Sequence, residues 1–182
     1  CVIVKDGKVI GEGYHEKAGE LHAERVALAD CNESPEGATA YVTLEPCDHF
    51  GKTPPCTEGL IEAKVSRVVI GQSDPNKEAM GGVAKLKAAG IDMKTGVLES
   101  ECRKINPAFT QFHEKGKPLV TLKWALSLDG CTSAPNGESK WISGAGSRKQ
   151  VHRQRAQHDA VMVGIETALK DQAKLTVRDW PL

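Results

Sequence analysis

One histidine, one carboxylate and two cysteines constrain this chain more than any other feature of its sequence. His22 and Glu24 lie two positions apart, and Cys47 and Cys56 follow downstream, each directly after a proline. A catalytic zinc ion takes three protein ligands and leaves its fourth position to water. We therefore predict a fold that brings His22, Cys47 and Cys56 to one point, with Glu24 beside them as a proton acceptor.

Each of these residues has an ordinary structural explanation when it is taken alone. A single histidine on a helix is usually structural, and two cysteines nine positions apart can be small buried hydrophobes. A purely structural zinc site is a second alternative. Such sites normally have four protein ligands, and His49 is the only nearby candidate for a fourth. The combination with Glu24 favours the catalytic interpretation, and the structural one stays open.

The order of these residues indicates a class of chemistry. A His-x-Glu followed by Pro-Cys and a second Cys is typical of zinc-dependent nucleobase deaminases. Zinc lowers the pKa of a bound water to about 7. The carboxylate of Glu24 would then carry a proton from that water to the departing ammonia. The predicted cofactor is Zn²⁺, and the predicted catalytic residue is Glu24.

The first 115 residues alternate predicted strands with predicted helices, which indicates an α/β fold. Asp6-Gly7 between two β-prone runs predicts a hairpin of residues 1–5 and 8–14. Further strands are predicted at 40–44, 65–71 and 91–97, and helices at 22–30, 57–63, 83–89 and 99–113. Pro107 is expected to kink or break the last of these helices.

A polar segment at residues 114–118 predicts a domain boundary, with one domain over 1–115 and a second over 118–182. In the second, the pattern predicts strands at 119–125 and 160–164 and a helix at 148–157. So few elements bury little core, and we expect this domain to be incomplete. The opening run Cys1-Val2-Ile3-Val4 without a methionine also leads us to expect a missing N-terminal segment.

Composition argues against several functional classes. Lysine plus arginine equals aspartate plus glutamate at 24 each, and no basic cluster with interleaved aromatics indicates nucleic-acid binding. No apolar run approaches the roughly 20 residues of a membrane span. Six cysteines without a secretion signal favour reduced thiols in a cytoplasmic protein.

The spacing between the two cysteines indicates which kind of zinc-dependent deaminase the sequence resembles. Eight residues separate Cys47 from Cys56, whereas base and nucleoside deaminases commonly have two. The run Tyr41–Cys56 resembles the family of bifunctional riboflavin-biosynthesis deaminase–reductases, as does Asp74-Pro75-Asn76. The second half resembles the start of that family's reductase domain in Leu122-Lys123, in 127–130 and 137–142, in Arg155-Ala156 and in 175–178.

The resemblance implies a cytidine-deaminase-like three-layer α/β/α domain followed by the start of a dihydrofolate-reductase-like α/β domain. It implies deamination of 2,5-diamino-6-ribosylamino-pyrimidin-4-one 5′-phosphate at a zinc site, followed by an NADPH-dependent reduction. The implied NADP-binding residues are Ala125, Trp141, Thr167 and Asp171, and the implied substrate-binding residues are Ser139, Arg155, Leu175, Arg178, His49 and Lys52.

Some of these assignments have a plainer alternative. Arg155 and Arg178 suit a phosphate because guanidinium forms bidentate contacts, but Arg155 also fits a solvated helix face. Trp141 fits a core position equally well. His49 and Lys52 fit either the wall of a pocket or a surface loop that Pro54-Pro55 stiffens, and we favour the pocket.

Departures from the family pattern limit what the resemblance implies. The family's N-terminal helix, its Asn-Pro loop and most of its reductase domain have no counterpart here, and residues 77–83 appear one residue short. We therefore expect the reductase activity to be lost and the deaminase to be impaired.

The partner is expected to be a small phosphorylated pyrimidine, with a homo-oligomer as a further expectation. Two alternatives stay open, namely another zinc nucleobase or tRNA-adenosine deaminase and an impaired zinc-binding fragment.

Overall fold

A β-hairpin opens the computed structural model, which describes residues 1–181. Strand β1 (Val2–Lys5) and strand β2 (Lys8–Glu12) pair in antiparallel fashion. The two residues between them, Asp6 and Gly7, have φ values of +47° and +76°. Positive φ at both central positions suits the right-handed twist of a two-residue hairpin, and Asp-Gly tolerates it. The predicted hairpin is confirmed.

The hairpin forms one side of a mixed five-stranded sheet with the strand order β2-β1-β3-β4-β5. Strand β3 (Thr39–Leu44) runs antiparallel to β1, and β4 (Arg67–Gln72) and β5 (Asp92–Lys94) continue parallel to β3. Parallel neighbours require crossover connections. Helices α2 (Cys56–Glu62) and α3 (Gly82–Ala88) lie within these two crossovers. The segments after β3 and β4 therefore leave the sheet at the same edge.

The core of this sheet domain is built from aliphatic side chains of the central strands and of the helices packed on them. Helix α1 (Ala23–Asp30) lies against β2 at close range. A Cβ on Gly13, which directly follows β2, would lie 2.5 Å from the backbone nitrogen of Ala27. The absence of a side chain there permits α1 to approach. The largest fully buried aliphatic residues are Ile3, Leu60, Ile70, Leu86 and Val68.

The predicted helix at 99–113 is broken into α4 (Glu99–Ile105) and α5 (Pro107–Lys115). Asn106 between them has φ −125° and ψ +58°, outside the helical region. Proline lacks an N–H and is well accommodated at the first position of a helix, so Pro107 starts a new helix. The buried Thr110 of α5 accepts a hydrogen bond from Gln72 Nε2 at 3.1 Å. This bond anchors α5 to the end of β4.

The chain divides into two compact units, residues 1–120 and the residues from 121 onward. Among the described residues, the second unit contains helices α6 (Ala145–Ala156) and α7 (Ile165–Asp171) but no strand. The predicted helix at 148–157 is confirmed, beginning three residues earlier. Within residues 1–181, no helix is long and apolar enough to cross a membrane.

The strands predicted at 119–125 and 160–164 are wrong for this structure. A strand requires a neighbouring strand that satisfies its backbone N–H and C=O groups, and neither segment has such a partner among the described residues. Their apolar side chains are also uncovered, since Leu122 is 76% exposed and Met162 is 92% exposed. Local β propensity alone did not produce a strand.

Candidate active site

Three elements bring the predicted metal ligands together. His22 immediately precedes α1, Cys47 lies three residues after β3, and Cys56 is the first residue of α2. The Nδ1 atom of His22 lies 3.4 Å from the Sγ atom of each cysteine. All three ligand atoms lie within 4.8 Å of one another. Residues up to 34 positions apart in sequence therefore converge on one point.

The spacing of these atoms fits a zinc ion. Zinc–sulfur bonds of about 2.3 Å and zinc–nitrogen bonds of about 2.0 Å, arranged tetrahedrally, put nitrogen and sulfur ligands about 3.5 Å apart. The observed 3.4 Å agrees, and one imidazole with two sulfurs is a donor set that suits zinc. Within residues 1–181, His49 does not belong to this group. The three-ligand set favours a site with an open fourth position over a closed structural site.

The two sulfurs share one negative charge in the metal-free protein. A hydrogen bond from Cys56 lowers the pKa of Cys47 to about 4, with further help from His22 and from the backbone N–H of Cys56. The same contact raises the pKa of the Cys56 thiol, because a second thiolate would face the first. The hydrogen bond to Cys47 raises the pKa of His22. Binding of a divalent cation therefore releases protons from this cluster.

Glu24 lies in the first turn of α1 and is 7% exposed. Burial raises the pKa of its carboxyl above the ordinary value, and hydrogen bonds to its own backbone and to Cys56 oppose the shift. A proton on this carboxyl is therefore held more readily than on an exposed glutamate. The carboxyl lies beside one of the sulfurs, as a group that exchanges protons at the centre requires.

Glu45 and Gly82 hold the segment that carries Cys47, and neither was predicted. The buried Glu45 carboxylate accepts the backbone N–H of Val83 at 3.1 Å and that of Asp74 at 3.4 Å. At Gly82, a Cβ would lie 1.9 Å from the carbonyl oxygen of Pro46. For Glu45, an acidic residue two positions before a candidate metal ligand was the available sequence signal. The close approach at Gly82 left no signal in the sequence.

Arg25 connects the two helices that begin at metal ligands. Its guanidinium donates to the Pro55 carbonyl at 2.9 Å, one residue before Cys56, and lies 3.6 Å from Glu62 at the end of α2. A Cβ on Gly59 would lie 2.7 Å from the guanidinium carbon. The missing side chain at Gly59 thus makes room for the arginine that ties α1 to α2.

A cavity of about 240 Å³ opens beside His22. Its walls come from residues 15–20 and from residues 48–55, which we call the ligand loop because they join Cys47 to Cys56. His49 and Lys52 of this loop both line the cavity. Their location in a pocket wall agrees with the favoured interpretation, and their contact with a substrate stays a prediction.

His15 faces the same cavity and was missed by the sequence analysis. Its ring packs edge-on against that of His22, with centroids 5.1 Å apart, and its Nδ1 donates to the Leu21 carbonyl at 3.0 Å. That bond leaves Nε2 as the acceptor nitrogen of the neutral ring. A histidine in a polar loop carries no periodic signal, so its sequence position alone did not identify it.

The predicted substrate residues of the second unit are partly brought together. Arg155 and Arg178 both donate to the carbonyl oxygen of Lys174, at 3.3 and 3.1 Å. Arg155 also donates to the Thr176 carbonyl, at 3.3 Å. Ser139 is exposed and Leu175 is half-buried. The two guanidinium groups therefore converge on one segment, and their role towards a phosphate stays a prediction.

The predicted NADP residues lie on three segments of the second unit, with Thr167 and Asp171 sharing α7. Trp141 is 70% exposed, and the guanidinium carbon of Arg148 lies 4.3 Å from its ring centroid. Ala125 is half-buried, and Thr167 and Asp171 are exposed on α7. Their grouping around a cofactor stays a prediction.

Comparisons with protein families agree with this two-part organisation. Residues 1–72 match the cytidine and deoxycytidylate deaminase zinc-binding region, which contains all three candidate ligands and Glu24. Residues 118–182 match the RibD C-terminal domain.

Individual relatives match along nearly the whole chain. The riboflavin biosynthesis protein RibD of Aquifex aeolicus is 50% identical over 182 residues, which are 100% of this chain and 51% of that protein. RibD of Escherichia coli is 49% identical over 179 residues, 98% of this chain and 49% of that protein. The chain thus spans about half the length of these relatives.

Solved structures give the same result. A diaminohydroxyphosphoribosylaminopyrimidine deaminase/5-amino-6-(5-phosphoribosylamino)uracil reductase from Thermotoga maritima superposes with a TM-score of 0.91 at 45% identity, covering 97% of this chain and 51% of that one. RibD of Acinetobacter baumannii gives a TM-score of 0.91 at 50% identity, covering 97% and 50%. The predicted succession of a cytidine-deaminase-like domain and a reductase-type domain is confirmed.

Proposed function

We propose that the chain belongs to the RibD family of riboflavin biosynthesis proteins, of whose length it spans about half, and that its first unit is a zinc-dependent aminohydrolase. The substrate is 2,5-diamino-6-ribosylamino-pyrimidin-4-one 5′-phosphate, which loses one amino group as ammonia. The observation that carries this proposal is the meeting of His22, Cys47 and Cys56 beside the buried Glu24.

The residues of the site have distinct parts in the reaction. Zinc held by His22, Cys47 and Cys56 would supply a Lewis acid that makes water nucleophilic near neutral pH. The Glu24 carboxylate would accept a proton from the attacking water and deliver it to the leaving amino group. Its burial favours the protonated state between these two transfers. The hydrogen bonds around Glu45 and Arg25 keep the three ligands at fixed separations.

The cavity beside His22 suits a polar, phosphorylated heterocycle. His15 and His49 offer ring nitrogens to a pyrimidine, and Lys52 adds a positive charge in the same wall. The Nδ1 atom of His49 is buried and has no hydrogen-bond partner among the described residues. We propose that His49 and Lys52 bind the substrate, with the Lys52 ammonium attracting the phosphate.

One experiment tests this function against its rivals. The zinc-loaded protein is supplied separately with the diaminopyrimidine ribotide, with cytosine and with a tRNA containing the target adenosine, and ammonia release is followed for the wild type and for Glu24→Gln. Release from the ribotide that disappears in Glu24→Gln supports the proposal. Turnover of cytosine or tRNA alone would refute it. Stoichiometric zinc binding without any turnover would favour the impaired zinc-binding fragment.

We further propose that the second unit contributes to the NADPH-dependent reductase of the whole protein. Support comes from the match to the RibD C-terminal domain and from the convergence of Arg155 and Arg178 on one segment. The predicted NADP residues Ala125, Trp141, Thr167 and Asp171 belong to this proposal. We expect the 182-residue chain alone to consume no NADPH in the presence of the deaminated product, and oxidation followed at 340 nm tests this.

A reducing compartment and a homo-oligomer complete the proposal. All six cysteines are free thiols in this structure, a state that the cytoplasm maintains. Light scattering on the purified protein tests for the oligomer.

A further inference from the structure

One ion-pair cluster outside the pocket holds the start of the ligand loop. The Nζ atom of Lys85, on α3, lies 2.7 Å from Asp48 Oδ1 and 3.3 Å from Glu58 Oε1 on α2. The same Asp48 oxygen accepts a hydrogen bond from the Oγ1 atom of the fully buried Thr57 at 2.8 Å. Lys85 therefore joins α3, α2 and the first residue of the ligand loop.

Asp48 is the point at which the ligand loop is fixed. Among the described residues, it is the only member of the loop whose side chain forms a hydrogen bond or an ion pair. Its backbone N–H also donates to the Ala79 carbonyl, at 3.4 Å. His49 follows directly, and His49 and Lys52 both line the cavity. The direction in which the loop leaves Asp48 thus sets the location of both side chains.

We propose that Lys85 is a positioning residue for substrate binding, acting through Asp48 on the ligand loop. The inference rests on the deaminase function proposed above. Cys47 and Cys56 are held by contacts that do not involve Lys85, namely those of Glu45, Gly82 and Arg25. Loss of Lys85 should therefore leave the metal ligands in place and release only the loop between them.

A purely structural ion pair would behave differently. An exposed pair contributes little to stability, and its removal would leave substrate affinity unchanged. The matched control is Lys64, which forms an ion pair of 3.6 Å with Glu36 on the same unit, away from the ligand loop. Lys64→Met and Lys85→Met remove the same charge and leave the same side chain.

The test compares the wild type, Lys85→Met, Lys85→Arg and Lys64→Met as zinc-loaded proteins. For Lys85→Met, we expect KM for the ribotide to rise about tenfold while kcat stays within about twofold, since misplacing binding groups by about 1 Å has effects of up to a hundredfold. The zinc-to-protein ratio should stay at that of the wild type. Lys85→Arg should restore KM, and Lys64→Met should match the wild type.

Asp48→Asn and the double variant Lys85→Met/Asp48→Asn test whether Lys85 affects KM through Asp48. Because both single changes cut the same link, the double variant should raise KM no more than the larger single change. An additive increase would show that Lys85 acts elsewhere and would overturn the proposal. An unchanged KM for Lys85→Met would do the same, and so would a joint loss of kcat and zinc.

A measurement without substrate tests whether Lys85 holds the ligand loop, independently of the proposed deaminase function. Brief trypsin treatment, followed by mass spectrometry that measures the rate of cleavage after Lys52, reports the mobility of the ligand loop. We expect Lys85→Met to accelerate this cleavage about fivefold and Lys64→Met to leave it unchanged, because local opening controls proteolysis. If the wild type releases no ammonia, the deaminase proposal fails, and this cleavage ratio still decides whether Lys85 holds the loop.

Discussion

Substituting Gly82 by alanine should disturb the candidate metal centre, although Gly82 is not one of the candidate ligands. Gly82 begins α3, and its added Cβ would lie 1.9 Å from the carbonyl oxygen of Pro46, the residue before Cys47. An ordinary carbon–oxygen contact is about 3.3 Å, so α3 and the Pro46–Cys47 segment must separate by more than 1 Å. The obstacle is backbone, which cannot rotate away as a side chain end can.

The energetic consequence follows from that displacement. Overpacking of this kind destabilises by about 1–3 kcal/mol, and the better helix propensity of alanine offsets at most about 1 kcal/mol. We expect a net loss of about 1–2 kcal/mol, which lowers Tm by about 5–10 °C in a domain of this size. Metal sites tolerate ligand shifts of only about 0.2 Å, so zinc affinity should fall at least about tenfold.

Thermal unfolding and competition with a zinc chelator measure the two effects. The matched control is Gly146→Ala in α6, because a Cβ at Gly146 meets nothing within 4 Å. That variant should keep zinc affinity and should not lower Tm, because the helix propensity of alanine is gained there without a clash. If Gly82→Ala behaved like Gly146→Ala in both assays, the packing of α3 on Pro46 would not control the site.

Three further perturbations test other parts of the site. Chelation of zinc should lower Tm, because a metal at a hundredfold excess over its Kd stabilises the folded state by about 2.7 kcal/mol; an unchanged Tm would contradict the assigned ligands. Burial raises the pKa of Glu24 above its ordinary value of 4.5. The folded metal-free protein therefore binds this proton more tightly than the unfolded chain does. Its free energy of unfolding should fall as pH rises from about 4.5 through the folded-state pKa. In urea unfolding of the metal-free proteins, Glu24→Gln should therefore gain stability over the wild type across that interval, and a pH-independent difference would refute the assignment. Glu45→Gln should cost about 1–3 kcal/mol, because an amide NH₂ must face one of two buried N–H donors, whereas Glu62→Gln on the exposed end of α2 should change urea stability by less than about 0.5 kcal/mol.

Local chemistry explains why much of the fold could be predicted from the sequence. The hairpin depends on Asp6-Gly7 accepting positive φ, and the break at Pro107 depends on a missing N–H. The convergence of His22, Cys47 and Cys56 could be predicted because the chemistry of zinc requires those residue types at those spacings. The hairpin and the helix break each depend on a few neighbouring residues, whereas the candidate metal site depends on residue types at characteristic spacings.

The missed features depend on contacts between distant segments. Gly82 matters only because Pro46 approaches it, and Lys85 matters only because Asp48 lies across from it. The strand predicted at 119–125 failed for the same reason, since a strand exists only beside a partner. His15 entered the site through ring packing on His22, which no sequence period indicates.

The two edges of the sheet determine how copies of this protein can meet. Strand β5 has only three residues and ends in the exposed charges Asp92 and Lys94, and β2 begins with the exposed Lys8 and pairs with β1 through an irregular register at Ile3/Val4. Short, charged and bulged edges resist the addition of a foreign strand. These two edges therefore disfavour the aggregation of concentrated protein by edge-to-edge strand pairing.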